Sequence, residues 1–288
     1  MITIGINGAS GKMGLSLVRL IAESKDLRLV AAIDRADNPS IGKDIGIMAG
    51  LGKALGVMLS GEMTQRADPV RDRSHKGDRL ARNGSSNNEL NGNNGFISGG
   101  KQSISNGVNR KADVMIDFSQ PAGTMKIVKE CLKYKTALLI GTTGLNAAQK
   151  NKIRLAGKKI ACLISPNMSI GANLLFKVAP QIAAILGKEY DIEIVETHHR
   201  FKKDAPSGTA IRLADAITAQ TGKKIPTHSL RIGDVVGDHT AIYSTLGERI
   251  ELTHRVHTRD IFSRGALKVA RFLAKARPGF YTMADAIK

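Results

Sequence analysis

The stretch ITIGINGASGKMG, residues 2–14, restricts the fold more than any other part of the chain. A short apolar run ends in three glycines, Gly8, Gly11 and Gly14, spaced G-x-x-G-x-x-G, and an amphipathic run over 12–24 follows. Glycines allow a tight turn and let the backbone approach a pyrophosphate closely. The start of the next helix adds free N–H groups and the positive end of its dipole. The spacing is looser than the common G-x-G-x-x-G, so context has to support it. Twenty residues after Gly14, at the end of a second apolar run LRLVAAID (27–34), stands Asp34, whose carboxylate suits the hydroxyls of a ribose. Arg35 follows at once and suits a 2′-phosphate, and Lys12 puts a cation into the loop. Together these residues predict a dinucleotide site open to NADH, NADPH or both.

Further strand-like runs follow the same plan: ADVMIDFS (112–119), ALLIGTT (137–143) and IACLISPN (160–167), with helical patterns between them. Near-continuous apolar strands joined by crossover helices indicate a parallel sheet covered on both faces. Beyond about residue 168 the texture changes. A long apolar helix (170–187) leads into YDIEIVETHH, a helix over about 206–221 follows, and two strands around LG (239–245 and 248–256) form a hairpin candidate. The expected class is α/β: a Rossmann-type dinucleotide-binding domain over 1–168 and a smaller mixed α+β substrate and oligomerisation domain over 169–256. The stretch 257–288, helical over 260–275, is expected to return to the first domain. Residues 83–109 hold 8 Asn, 6 Gly and 5 Ser. Such composition buries too little apolar surface to offset its ordering entropy, so about 65–110 is read as a mobile surface insertion.

The 288 residues carry a net charge of +18, which raises nucleic acid as a partner. The cations are spread along the whole chain, there is no Trp, and no nucleic-acid-binding signature appears, so no specific nucleic-acid partner is expected. The longest apolar runs are far too short to cross a bilayer. The N-terminus lacks a basic lead and apolar core, so no secretory leader is expected. Two separated cysteines, Cys131 and Cys162, fit a reducing cytoplasm and offer neither a zinc cluster nor a disulfide framework.

Ligands of open parallel sheets bind beyond the carboxyl ends of the strands. Gly141, Thr142 and Thr143 end one strand, and Ser165, Pro166 and Asn167 end the next. Asn167 suits either a nicotinamide amide or a hinge. The densest chemistry lies in ETHHRFKKDAPSGTA, residues 196–210. Adjacent strand residues face opposite ways, so His198 and His199 are expected to do different work. Lys202 lies four residues after His198. Asp204 is a candidate cap for the next helix and Pro206 suits its first turn. Ser207, Gly208 and Thr209 would then present N–H groups and hydroxyls to a carboxylate. Histidine suits proton transfer near neutral pH, as does a lysine beside other cations. No metal is expected, because adjacent histidines diverge and no H-E-x-x-H pattern is present.

The runs GASGKMG (8–14), IDFSQP (116–121), IGTTG (140–144), IVETHHRFKKDAPSGTA (194–210), GDVVGDHTA (233–241) and GERIELTHR (247–255) together resemble the dihydrodipicolinate reductase family, the 4-hydroxy-tetrahydrodipicolinate reductases. The resemblance covers nearly the whole chain apart from about 65–110. It implies hydride delivery from a nicotinamide cofactor to a cyclic dicarboxylate in lysine and diaminopimelate biosynthesis. It implies further that Gly8, Ala9, Ser10, Gly11, Lys12 and Met13 wrap the pyrophosphate and that Asp34 and Arg35 read the adenosine ribose. Gly141, Thr142, Thr143, Ser165, Pro166, Asn167 and Met168 would line the nicotinamide side. His198 is implied as acid/base residue and Lys202 as proton donor, with His199, Ser207, Gly208 and Thr209 holding substrate carboxylate. A homotetramer joined through the second-domain sheets is implied as well. The family usually has Phe at the position of Met168, and its loop before GDVVGDH is commonly longer. Two other readings share the glycine loop: another oxidoreductase on the same plan, such as a homoserine dehydrogenase or an acylating semialdehyde dehydrogenase, the latter needing a nucleophilic cysteine, and a non-catalytic dinucleotide sensor, which needs neither His198 nor Lys202.

Overall fold

A computed structural model describes residues 1–62 and 112–287. The stretch read as a surface insertion, about 65–110, lies outside the described residues. The first part of the chain forms β1 (Ile2–Asn7), α1 (Lys12–Glu23), β2 (Leu27–Ile33), α2 (Ile45–Met48) and β3 (Leu59–Ser60). Then come β4 (Val114–Asp117), α3 (Pro121–Tyr134), β5 (Ala137–Ile140), α4 (Ala147–Ala156) and β6 (Ala161–Ile164). Among the described residues these strands pair in parallel in the order β6-β5-β4-β1-β2-β3. The strands β4 and β5 are buried at every position, as expected of central strands covered on both faces. Helix α1 packs Gly14, Leu17, Val18 and Ile21 inward, the i, i+3, i+4, i+7 stripe of an amphipathic helix. The order of connection reverses between β1 and β4, and a crevice for ligands opens at such a switch point beyond the carboxyl ends of the strands.

The chain continues as α5 (Ile170–Leu186), β7 (Asp191–His198), α6 (Gly208–Thr221), β8 (Thr227–Arg231), β9 (Gly237–Thr245) and β10 (Glu248–Val256). The four strands make a second, mixed sheet in the order β10-β9-β7-β8, with only β7 and β8 parallel. The hairpin β9–β10 closes through Leu246 and Gly247, and Gly247 takes φ +91°, where a side chain would be strained. Along β7 the inward side chains alternate as Ile192, Ile194, Glu196 and His198. The first two pack with Leu175 and Ala179 of α5 and with Leu213 and Ile217 of α6. Tyr243 is fully buried and its hydroxyl donates to the Ala179 carbonyl at 2.8 Å. The period-two pleat that builds this core therefore also carries a carboxylate and an imidazole to its end.

Helix α7 (Asp260–Leu273), strand β11 (Gly279–Tyr281) and helix α8 (Met283–Ala286) then return to the first sheet, where β11 pairs with β6 as its edge strand. Helix α7 packs Ala266, Leu267, Val269, Ala270 and Leu273 into the same core as α1. Gly265 makes the approach possible, since a Cβ there would lie 1.8 Å from the Met168 carbonyl oxygen. Arg271 binds Asp26 through Nε at 2.7 Å and Nη2 at 2.8 Å. No helix among the described residues is long and apolar enough to cross a membrane.

Candidate active site

The glycine loop joins β1 to α1 at the switch point. Gly8 takes φ +79°, and a Cβ on it would lie 2.4 Å from the Phe118 carbonyl oxygen. Gly14 sits under the loop, where a Cβ would meet the carbonyl oxygens of Ala9 and Gly8 at 2.4 Å. Gly8 and Ala9 both donate their N–H groups to the Ile33 carbonyl, at 2.8 and 3.0 Å, which ties the loop to the end of β2. A cavity of 1120 Å³ opens in front of it, lined by Gly8, Ser10, Gly11, Asp34, Arg35 and Phe118 among others. Asp34 accepts from Ser10 N at 3.0 Å, from Ser10 Oγ at 2.6 Å and from Arg35 N at 2.8 Å. Burial alone would raise its carboxyl, but these bonds and one from Asn38 hold it below the usual carboxylate range. The Arg35 side chain is exposed and lies 3.6 Å from Asp37, a loose pair in water. Strand end, glycine turn, helix start and ionised carboxylate thus fit a dinucleotide. Ala9 is fully buried, and Lys12 and Met13 do not line the cavity.

Under the neighbouring strand ends lies a group that the sequence did not point to. Asp117 is fully buried and accepts from Asn7 Nδ2 (2.7 Å), Ser119 Oγ (2.5 Å), Thr124 Oγ1 (2.5 Å) and Thr142 Oγ1 (2.9 Å). Four neutral donors on separate parts of the chain converge on one carboxylate and lock the strand ends together. Thr142 is buried in this network, whereas Thr143 is exposed. A Cβ on Gly141 would run into the Phe118 ring at 2.2 Å, so Gly141 serves the packing of that ring. At the end of β6, Ser165 is buried and its Oγ donates to the Asn167 carbonyl at 2.7 Å, while Pro166 is exposed. Met168 belongs to the hydrophobic core and is 1% exposed, so it does not face the cleft.

Asn167 donates from Nδ2 to Thr209 Oγ1 at 3.2 Å. This bond joins the end of β6 to the start of α6. The helix begins later than its sequence implies. Its N-cap is Ser207, whose Oγ accepts from Ala210 N at 3.2 Å, and Pro206 precedes the helix after a cis peptide bond. Asp204 therefore does not cap it, and instead accepts from Lys202 Nζ at 2.6 Å. The Ser207 N–H is also committed, to Glu196 Oε1 at 3.2 Å, and Ser207 is only 2% exposed. Gly208 is exposed and Thr209 half-buried, so the helix start still presents these two.

The two adjacent histidines separate as strand geometry requires. His198 points into the fold, 8% exposed, while His199 is half-buried with a buried Nδ1 that has no hydrogen-bond partner. His198 Nδ1 meets Glu196 Oε2, and Glu196 also receives Arg231 Nη1 at 3.0 Å and Nη2 at 2.7 Å. Burial pulls the His198 imidazole below its ordinary value, the Glu196 contact works against that, and the charges of Lys202 and Arg231 add to the lowering. For Glu196, hydrogen bonds from Arg231, Ser229 and His198 outweigh the burial that would raise it and push it down to about 2. The His239 ring stands edge-on to His198 at 5.2 Å between centroids. His239 Nε2 lies 3.0 Å from Ser207 Oγ, and its cross-strand partner His254 places Nε2 3.2 Å from Ser169 Oγ. Burial pushes His239 down to about 4 and lowers His254 as well. Each ring is hydrogen-bonded to the N-cap serine of a helix, α6 in one case and α5 in the other.

Glu196, Arg231, His239, His254 and Asp117 were missed from the sequence. Only Glu196 left a signal there, two residues before His198 and so on the same strand face. Both cysteines are buried, and burial raises both thiols, Cys162 to about 12. Neither suits a nucleophile, which removes the acylating dehydrogenase reading.

Comparison with known proteins covers nearly the whole chain. The family description "Dihydrodipicolinate reductase, N-terminus" matches residues 2–72 and 81–168, and "Dihydrodipicolinate reductase, C-terminus" matches 171–287. A 4-hydroxy-tetrahydrodipicolinate reductase from Magnetococcus marinus is 37% identical over 304 residues, covering 99% of this chain and 97% of its own. One of the same name from Citrifermentans bemidjiense is 33% identical over 307 residues, covering 100% and 99%. Among solved structures, a dipicolinate-bound dihydrodipicolinate reductase from Paenisporosarcina sp. TG-14 shares the fold, with a TM-score of 0.68 and 22% identity over 98% of this chain and 97% of the other.

Proposed function

Since the chain belongs to the dihydrodipicolinate reductase family, we infer the roles of its individual residues from a reaction that the family already defines. The chain is an NAD(P)H-dependent oxidoreductase that reduces 4-hydroxy-tetrahydrodipicolinate in lysine and diaminopimelate biosynthesis. When bound, the nicotinamide supplies the hydride. Gly8, Ser10 and Gly11, with the start of α1, hold the pyrophosphate. Asp34 turns from Ser10 to the ribose hydroxyls, and Arg35 meets a 2′-phosphate. Asn167 borders the nicotinamide side, and Thr142 stiffens it through Asp117.

On the other side, His199, the N–H groups of Gly208 and Thr209 and the Thr209 hydroxyl hold a substrate carboxylate. Lys202 and His198 supply the proton that accompanies the hydride. Asp204 keeps the Lys202 ammonium beside the helix start until a substrate anion competes for it. The observation that carries this reading is the Asn167–Thr209 bond, which brings the end of the cofactor sheet against the start of the substrate helix. The proposal extends to the organisation of the chain: residues 1–168 for the cofactor, 169–256 for substrate and assembly, 257–288 returning to the first part, and a cytoplasmic homotetramer.

The test is loss of nicotinamide absorbance with substrate freshly generated from pyruvate and aspartate semialdehyde. Turnover is expected with NADH or NADPH, and Arg35→Ala is expected to raise the Michaelis constant for NADPH more than for NADH, because only NADPH offers its guanidinium a phosphate. Equal effects on both remove Arg35 from that role.

A further inference from the structure

Glu196 is fully buried, and no part of the reaction described so far uses it. All of its hydrogen-bonding capacity is committed. Oε1 accepts from Arg231 Nη2 at 2.7 Å and from Ser207 N at 3.2 Å, and Oε2 accepts from Arg231 Nη1 at 3.0 Å and meets His198 Nδ1. The carboxylate cannot rotate away from the imidazole without breaking a bidentate guanidinium pair.

The other side of the His198 ring has backbone on one flank and, among the described residues, no hydrogen-bond partner at Nε2. Its Nε2 lies against Gly237 at the start of β9, where a Cβ would stand 2.9 Å away. The His239 ring closes a third side, edge-on at 78°. One ring nitrogen is therefore bound to an acceptor that has no proton to give. The other faces a strand position where a side chain would displace it.

We propose that Glu196, locked in place by Arg231, is the positioning residue of His198: it keeps Nδ1 protonated and leaves Nε2 as the nitrogen that takes up and delivers the proton. This inference rests on the reading of His198 as the acid/base residue. In the step itself the doubly protonated ring gives its Nε2 proton to the substrate and becomes a neutral ring with Nδ1–H still on Glu196. A proton from solvent then restores it. The charged and titratable groups facing the ring are Glu196 on β7, Arg231 on β8, His239 on β9 and Lys202 from the loop after β7. Arg231 balances Glu196, so the carboxylate orients the ring without locking a permanent positive charge onto it.

A purely structural ion pair between β7 and β8 would predict something different, and the pH dependence separates the two. With Glu196→Gln the ring loses its negative neighbour and holds a proton less firmly, so the alkaline limb of the kcat profile moves to lower pH by about one unit. At pH 7 kcat falls roughly tenfold, the change in protonated fraction that one unit brings. The Michaelis constant for substrate stays within about twofold, and turnover recovers as the pH is lowered. The ¹⁵N resonances of His198 report the ring directly: Nδ1-protonated in the wild type, and a tautomer mixture in Glu196→Leu. Should Glu196→Gln fail to fold because Arg231 is left uncompensated, the double variant Glu196→Leu with Arg231→Met removes both charges; since Arg231 itself pulls the ring down, its alkaline limb moves less, and the loss of the Nδ1-protonated tautomer carries the expectation. Gly237→Ala pushes on the ring from the Nε2 side and is expected to lower kcat with Glu196 intact. A wild-type alkaline limb with a uniformly lower kcat, or an unchanged His198 tautomer in Glu196→Leu, overturns the proposal. If His198→Ala itself keeps near-normal kcat, the underlying reading of His198 fails first. If His198→Ala loses turnover while the Glu196 variants keep the wild-type limb, only the positioning role fails.

Discussion

Single residues here are chosen by how closely backbone and side chain must approach. Gly8 is the clearest case, with φ +79° and 2.4 Å between a built Cβ and the Phe118 carbonyl. Gly8→Ala is expected to cost on the order of 1–3 kcal/mol through backbone strain alone. In a chain of this size that lowers the thermal midpoint by roughly 2–4 °C per kcal/mol. NADH binding by fluorescence titration should weaken with it, since the loop that meets the pyrophosphate is displaced. An unchanged midpoint contradicts the strain argument. Glycines of this kind were legible in the sequence, because three of them straight after an apolar run mark a tight turn at a strand end. The polar partners were not. Asp117 meets Asn7 from 110 positions away, and Arg231 meets Glu196 from 35. Those separations are set by strand order, which no local pattern reveals. Met168 was placed at the nicotinamide side by the family resemblance, and its side chain packs beside α7 in the core.

The elements that carry the site are held at their ends. Helices α5 and α6 begin at Ser169 and Ser207, and each N-cap hydroxyl is gripped by a histidine of the β9–β10 hairpin. His254 and His239 are direct cross-strand partners, so one rung of the sheet sets the spacing between the two helix starts. Burial holds both rings against charging. His239 titrates near 6.5 in the unfolded chain and at about 4 in the folded one, so the unfolded state binds more protons between those values. Stability is then complete above about pH 6.5 and falls as the pH drops towards 4, by about 3 kcal/mol for this residue at most. His239→Gln, which keeps a polar partner for Ser207, is expected to flatten the dependence of the thermal midpoint on pH across that window. A slope equal to the wild type's contradicts the assignment. The long elements were legible from their periodicity, and the hairpin from its LG turn. The short edge pieces β3, β8 and β11 were not read, because they lack the continuous apolar run that marks β4, β5 and β6. The start of α6 was misread because Asp204 and Pro206 look like a cap and first turn, while Glu196 and His239 hold Ser207 in that place.

At the scale of the whole molecule, two sheets with different jobs meet at one seam. The parallel sheet offers strand ends, a glycine loop and a carboxylate to a dinucleotide. On the proposed function, the mixed sheet presents imidazoles, Lys202 and a helix start to a dianion. The net charge of +18 suits attraction of such an anion at low salt. The sequence changes texture near residue 168, between β6 of the first sheet and β7 of the second, and α7 and β11 return to the first sheet. The division between the sheets also separates what different substitutions do. Steady-state kinetics and cofactor titration of His198→Ala, Lys202→Ala, His199→Ala and Thr209→Ala test the account most directly. The first two should lower kcat by roughly 10²–10⁴-fold, the contribution of general acid catalysis, with little change in the substrate Michaelis constant. The last two should mainly raise that constant, since they hold the carboxylate before and during reaction. NADH affinity without substrate should match the wild type in all four. Near-normal kcat in His198→Ala and Lys202→Ala, or a loss of NADH binding as large as the loss of turnover, contradicts the account.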